Sequence, residues 1–476
     1  MQDKTKFYIN GAWVVPHSTD TLQVINPSTE EAIATITLGD TVDLDSAVTA
    51  ATNAAVQWSQ TSVDTRRELL QKLLDTYKAR MAEMGQVISS EMGAPISLAQ
   101  TAQAGAGFGH LRQTIKALES FSFEVEVPKK EGVDHVFYEP VGVVGLITPW
   151  NWPMNQVMLK VAPALAAGCV VVLKPSELAP LSSMLLADMI HEAGFPAGVF
   201  NLVNGDGAGI GSGLSRHPDV HAISFTGSTR AGRLIMSAAS ETVKPVCLEL
   251  GGKGANLIFA DADEKAVSRG VRQCFLNTGQ SCNAPTRMLV EASIYDSAVE
   301  QAVAMASKTT VGQSSEESRH IGPVASEAQF NKIQELIQKG IDEGANLKIG
   351  GVGRPDGVGR GYFVKPTVFA DVTPDMTIFK EEIFGPVLSI VPFNDEDHAI
   401  RLANDTPYGL TNYVQTSDSD RAKRLARQLR SGMVEVNGEL LSPATPFGGV
   451  GLSGIGREGG VWGLEEFLYP KAVSGI

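Results

Sequence analysis

Between Val141 and Leu250, strand-like apolar runs alternate with helical stretches so regularly that few folds are open to the chain. Val141–Ile147 reads as a strand and Met154–Ala167 as a helix; Val170–Leu173 and Leu181–Ala193 repeat the pair. Val199–Val203, Ala222–Phe225 and Val246–Leu250 are further strands, with a short helix over Ala208–Leu214 and another over Thr229–Ala239. Such repetition predicts a parallel sheet with helices on both faces. Ligands of such sheets bind beyond the carboxyl ends of the strands. A second α/β region is expected from about Gly252 to Pro446. Its strands include Ala255–Phe259, Arg287–Val290 and Val387–Pro392, and its helices Gln329–Gly344 and Ser419–Leu429.

The flanking segments carry weaker signals. Residues 7–15 and 22–26 read as short strands, and Val42–Trp58 as a packed helix. From Thr65 to Met84, Leu69, Leu70, Leu73, Leu74, Tyr77, Met81 and Met84 recur at helical spacing and predict one core-facing helix. Phe121–Val127 alternates apolar and polar residues, and His135–Tyr138 follows a turn-like Lys129–Gly132 segment. This is a hairpin standing off the main body. Exposed strand edges seek partners, so it is expected to be an oligomerisation arm; the alternative is a surface hairpin with no partner. The tail Val461–Val473 also has strand character and is expected to pair with it.

At 476 residues the chain should divide into two or three domains. The expected division is 1–122 with 141–251, then 252–446, with 123–140 and 460–476 forming the arm. A net charge of −14 argues against nucleic acid as a partner. It leaves room for one dinucleotide, whose phosphates backbone N–H groups can hold. Four cysteines are too few for a disulfide framework, and no Cys/His spacing suggests a metal. Cys169, Cys247 and Cys274 lie in apolar surroundings and read as buried, inert thiols. Val157–Leu173 is the longest apolar stretch, but it contains Lys160, Pro163 and Gly168 and reads as buried helix and strand, not a membrane span. The polar start Met1-Gln2-Asp3-Lys4 shows no signal peptide, and a cytoplasmic location is the expectation.

Cys282 sits in the small, polar run Asn277-Thr278-Gly279-Gln280-Ser281-Cys282-Asn283 and is the nucleophile candidate. Accessibility and a nearby helix N-terminus, which would lower its pKa, are expected. Glu249, in Leu248-Glu249-Leu250-Gly251-Gly252-Lys253, is a candidate base whose pKa burial would raise, or a cap for the Gly251-Gly252 turn. A thiolate and a carboxylate that share a carbonyl centre can form and then hydrolyse a covalent intermediate. Asn151, in Thr148-Pro149-Trp150-Asn151, is an oxyanion donor or the N-cap of the helix after it. Phe225-Thr226-Gly227-Ser228-Thr229 joins strand to helix and presents free N–H groups to a phosphate, although no GxGxxG fingerprint is present. Lys174-Pro175-Ser176-Glu177 also follows a strand. Its carboxylate could accept from ribose hydroxyls, or the segment is an ordinary solvated loop.

Together these motifs resemble the aldehyde dehydrogenase superfamily over nearly the whole chain. Glu381-Glu382-Ile383-Phe384-Gly385-Pro386 and Pro446-Phe447-Gly448-Gly449 complete the family's order. The resemblance implies a Rossmann-like parallel-sheet cofactor domain, a second α/β catalytic domain and a small β oligomerisation arm. It implies that Cys282 forms a thiohemiacetal with an aldehyde, that Asn151 and the Cys282 N–H hold the oxyanion, and that Glu249 activates the water that hydrolyses the resulting thioester. Lys160 and Glu458 match a pair that assists proton movement, with a purely structural ion pair as the alternative. For the cofactor, it implies Trp150, Lys174, Ser176, Glu177, Gly227, Ser228, Glu382 and Phe384, with Glu177 favouring NAD over NADP. Trp152, Gln156, Leu159, Leu276 and Phe447 match substrate-pocket positions, and no pocket arginine that would demand a carboxylate-bearing semialdehyde is expected. A homodimer or homotetramer is implied. A CoA-acylating semialdehyde dehydrogenase and a non-catalytic protein of the same fold are the alternatives; Glu249 counts against the first, and Cys282, Glu249 and Asn151 together against the second.

Overall fold

The computed structural model describes all 476 residues, Met1–Ile476. The β-branched runs Val143–Ile147, Val170–Lys174 and Ala222–Thr226 are buried at every position, as central parallel strands covered on both faces must be. They form the middle of an eight-stranded sheet. Its order is Gly454–Ile455, Val246–Glu249, Ala222–Thr226, Val143–Ile147, Val170–Lys174, Phe200–Leu202, Phe7–Ile9 and Ala12–Val14. The five central strands are parallel, and the chain builds outward in both directions from Val143–Ile147. The order therefore reverses between Val143–Ile147 and Ala222–Thr226, which opens a crevice beyond their carboxyl ends.

The helix Pro153–Ala167 packs under this sheet with nearly all its residues buried, as an all-round apolar helix must be. Its one charged side chain, Lys160, is fully buried and ion-paired to Glu458. A second, seven-stranded sheet runs Asn346–Ile349, Thr367–Ala370, Val387–Phe393, Arg287–Glu291, Ala255–Ile258, Thr411–Gln415 and Met433–Val436. Separate apolar clusters cover its two faces. The chain then returns, and Gly454–Ile455 pairs antiparallel with the end of Val246–Glu249. A third, antiparallel sheet joins Leu468–Ser474, Val133–Pro140 and Glu124–Pro128. No helix is long and apolar enough to cross a membrane.

Four segments differ from their sequence reading. Residues 7–15 are a hairpin, broken by Asn10 and Gly11 at φ 52° and 78°. Asn-Gly is the sequence that such a left-handed two-residue turn favours. The helix expected over Thr65–Met84 stops at Ala79, and a second helix, Met81–Met92, begins beyond Arg80. Arg80 leaves helical geometry and bonds Glu83 and Glu192. The Ala208–Leu214 segment is a wider-pitched turn over Gly207–Gly211 followed by a short helix over Ser212–Arg216. The tail is a helix over Gly460–Glu465 before it becomes a strand.

Candidate active site

The segments after the parallel strands meet at the crevice. Thr148–Asn151 follows Val143–Ile147, and Gly227-Ser228 follows Ala222–Thr226, on either side of the order reversal. Glu249 ends its strand in register with Thr226. Cys282 arrives from the other body, five residues before the strand Arg287–Glu291. The two bodies touch here at atomic range. A Cβ on Gly252 would run into the Cys282 carbonyl oxygen, so the glycine in this motif is what lets the nucleophile loop close on the sheet.

That loop is held by hydrogen bonds on several sides. Asn277 and Thr278 take left-handed backbone angles, φ 51° and 58°. Asn277 Nδ2 donates to the Asn151 carbonyl at 2.8 Å, and Gln103 Nε2 donates to the same carbonyl at 3.1 Å. Asn151 Nδ2 donates to the Gln280 carbonyl at 3.0 Å. Trp152 Nε1 donates to Ser281 Oγ at 2.8 Å. The helix after Asn151 begins at Pro153 with no side-chain cap bond, so Asn151 is not an N-cap. Its second amide proton is left for another acceptor.

Two cavities reach Cys282 from opposite sides, and it is the one residue they share. One has a volume of about 210 Å³ and is lined by Trp150, Asn151, Gly227, Ser228, Glu249, Glu382 and Phe384, among others. The other, about 510 Å³, is lined by Trp152, Gln156, Leu276 and Phe447. Leu159 faces an adjoining cavity instead. Arg269, Arg272, Gln273, Tyr413 and Glu435 also line the larger cavity. Arg269 and Arg272 thus stand in the lining, although no arginine that demands a carboxylate-bearing aldehyde was expected there. Arg269, Arg272, Gln273 and Leu276 are spaced i, i+3, i+4, i+7 along the run leading into the Cys282 loop. That spacing was the available signal.

Cys282 is half-buried, and no helix begins at it. Burial, then the Glu382 and Glu249 carboxylates, push its pKa up, opposite to the expected direction. Glu249 is 2 % exposed, and neither of its carboxylate oxygens has a partner, so it caps no turn. Burial and the neighbouring Glu458 hold its carboxyl well above the ordinary range, while Lys160 and Arg457 pull it back. Lys160 also donates to Ser224 Oγ at 3.1 Å.

On the smaller cavity, Glu382 accepts from the Gly252 N–H at 3.0 Å, and burial raises its carboxyl to about 7. Phe384 has φ 60°, an unfavourable angle for an aromatic residue, and meets Trp150 edge to face at 5.6 Å. Gln329 Nε2 secures it through its carbonyl at 2.9 Å. Such strained positions cluster at ligand sites. Ser228 Oγ accepts from the Ala231 N–H and starts the helix Thr229–Ala239. Lys174, Ser176 and Glu177 lie one strand further along, outside both cavities. Lys174 and Ser176 are buried, and Lys174 Nζ reaches Glu177 at 3.3 Å, so this is not a solvated loop.

The groups present suit the two ends of a dinucleotide. The smaller cavity offers the unpartnered Thr226 Oγ1 and Glu249 oxygens beside a helix N-terminus, with Lys174 and Glu177 beyond.

Residues 13–473 match the model of the aldehyde dehydrogenase family. The chain belongs to that family and is an oxidoreductase acting on aldehydes. Among its relatives is a 3-succinoylsemialdehyde-pyridine dehydrogenase of a Pseudomonas species, 51 % identical over 100 % of this chain and 99 % of that protein. A crystal structure of an aldehyde dehydrogenase from Bartonella henselae is 59 % identical and superposes with a TM-score of 0.99 over all of both chains. Aldehyde dehydrogenase C of Pseudomonas syringae, a cysteine-to-alanine variant complexed with NAD+ and octanal, is 46 % identical. Its TM-score is 0.97 over 98 % of this chain and 96 % of that one.

Proposed function

We propose that this enzyme oxidises an aldehyde to a carboxylic acid with NAD, through a covalent intermediate on Cys282. The observation that carries the reading is the position of Cys282 as the only residue common to both cavities. An aldehyde enters by the larger cavity, past Trp152, Gln156, Leu276 and Phe447, while the cofactor occupies the smaller one. The P. syringae relative holds NAD+ and octanal together, which supports a two-sided site.

Cys282 attacks the carbonyl carbon and gives up its proton to a base; Glu249 is the carboxylate in reach of the same space. The oxyanion forms where the free Asn151 amide proton and the Cys282 N–H converge. Bound NAD supplies the hydride acceptor. The Lys160–Glu458 pair behind Glu249 carries the Cys282 proton away. The regenerated carboxylate then takes a proton from the water that attacks the thioester, and that proton leaves by the same pair. Gly227, Ser228, Lys174, Ser176 and Glu177 hold the adenosine and pyrophosphate end, and Trp150, Glu382 and Phe384 the nicotinamide-ribose end. Residues 1–122 with 141–251 serve as the cofactor domain and 252–446 as the catalytic domain. The 123–140 and 460–476 arm joins subunits of a cytoplasmic homodimer or homotetramer.

The test is product analysis with NAD, with and without CoA. Free acid and NADH in equal amounts are expected. Acyl-CoA as the main product, or no NADH from any of a broad aldehyde panel, would refute the reading.

A further inference from the structure

Glu435 places a carboxylate in the wall of the larger cavity. It lies on the strand Met433–Val436 and is 7 % exposed. In register it stands beside Tyr413 on the neighbouring parallel strand, so both side chains leave the same face of the sheet, about 4.8 Å apart. Tyr413 donates its phenolic O–H to the carbonyl of Asn283, the residue after the nucleophile. Glu435 is thus one strand spacing beyond the group that props the Cys282 loop. Its carboxylate accepts a long 3.4 Å bond from Gln273 Nε2 and a bond from the Leu441 backbone N–H. Burial makes this carboxylate costly to keep and raises its pKa, while these two bonds pull it back.

A second buried acceptor faces the same cavity. Gln156 is 3 % exposed, and its Oε1 has no partner. It projects from the helix Pro153–Ala167, whereas Glu435 projects from the second sheet. Trp152, Leu276, Leu440 and Phe447 supply apolar surface to the same lining. A purely hydrocarbon tail leaves Gln156 Oε1 unsatisfied and adds no partner to Glu435, whereas a tail carrying a donor can bond both.

We propose that Glu435, with Gln156, is a specificity-determining site that accepts hydrogen bonds from a hydroxyl or ammonium group on the tail of the aldehyde. The proposal rests on the reading of the larger cavity as the aldehyde channel. The arginines do not reverse the preference. Arg269 is engaged by Asp263 at 2.7 Å and also bonds Gln415. Arg272 is exposed, with the Met305 sulfur at 4.0 Å as its side-chain contact. A carboxylate held there would sit beside Gln273, the residue that bonds Glu435, and be repelled by Glu435 itself.

The test compares wild type, Glu435→Gln and Glu435→Leu at saturating NAD. Four aldehydes of one chain length are used, with an ω-hydroxyl, ω-amino, ω-carboxyl or unsubstituted end. Thermal midpoints establish that each variant is folded, and the isosteric Glu435→Gln carries the test if Glu435→Leu is not. Wild type should favour the hydroxyl or amino tail over the plain alkanal in kcat/KM by about tenfold or more. Glu435→Leu should cut that ratio about tenfold, through KM. Glu435→Gln should keep the ratio for the hydroxyl tail and lose it for the amino tail, which distinguishes the two donors. An enzyme that oxidises the alkanal but treats all tails alike, prefers the carboxyl tail, or keeps its ratios in both variants overturns the donor site and leaves the aldehyde channel standing. Failure to oxidise any of the four overturns the channel as well.

Discussion

Asn151 and Gln280 are joined by a 3.0 Å hydrogen bond from the side-chain amide to the backbone carbonyl, two residues before the Cys282 thiol. One amide proton therefore fixes the Cys282 loop against the first sheet, and the other is free for the oxyanion role proposed for it. Asn151→Ala removes both. The rate loss should be about 10²–10³ in kcat, as for other single oxyanion donors. The stability loss should be about 1 kcal/mol, the worth of one hydrogen bond, because Asn277, Gln103 and Trp152 hold the same loop. Steady-state kinetics and thermal melts on one preparation check this. A large fall in melting temperature with little loss of rate would make Asn151 structural.

The Cys282 thiol holds its proton more tightly than an ordinary thiol because of burial and then the Glu382 and Glu249 carboxylates. A raised pKa keeps the thiolate fraction low at neutral pH and makes it grow as pH rises. Iodoacetamide labelling of the Cys282 peptide in cofactor-free enzyme should therefore have its midpoint above the usual thiol value of about 8.5. Glu382→Gln removes the larger of the two charges and should move the profile to lower pH. A wild-type midpoint below the usual value, or a shift in the other direction, contradicts this electrostatic account.

Lys160 and Glu458 form a buried ion pair, with Lys160 fully buried and Glu458 3 % exposed. Lys160→Met leaves Glu458 without its counter-charge. Breaking such a pair from one side costs about 3–5 kcal/mol, much of it regained when the second charge is removed too. The double variant Lys160→Met with Glu458→Leu should therefore melt above the single Lys160→Met variant. Equal melting temperatures would mean that the pair is not coupled.

Glu177 sits in the turn three residues beyond the strand Val170–Lys174, with its carboxylate 3.3 Å from Lys174 Nζ. If it faces the adenosine ribose, its charge disfavours a 2′-phosphate. Glu177→Gln should then improve kcat/KM with NADP relative to NAD by about tenfold, or about 1.4 kcal/mol. An unchanged ratio would place Glu177 away from the ribose.

The catalytic side of the site was legible because its residues sit in short runs whose own geometry the site demands. Gly252 must be a glycine where the Cys282 carbonyl approaches, and such a constraint leaves a mark in the local sequence. The parallel sheet was legible for a similar reason, since doubly covered strands such as Val170–Lys174 are continuous apolar runs. The far wall of the larger cavity was not. Glu435 comes 153 residues after Cys282, and in sequence it looks like the solvent-facing position of an ordinary strand. Only the pairing with Tyr413 turns it inward. The break at Arg80 was also silent, because Tyr77, Met81 and Met84 carry the helical spacing straight through it and no glycine or proline marks the stop. The direction of the Cys282 shift was misread because burial, which depends on the folded surroundings, dominates it, and Glu382, which adds to it, comes from a loop 100 residues downstream.

The central claim is a covalent bond between Cys282 and the substrate carbon, hydrolysed with the help of Glu249. The most direct test is mass spectrometry of Glu249→Gln enzyme quenched after mixing with NAD and an aldehyde that wild type oxidises. The account predicts an acyl group on the peptide containing Cys282, in an amount matching a burst of NADH, and no such mass on Cys282→Ala. Steady oxidation with no adduct on that peptide, or turnover by Cys282→Ala, would contradict it.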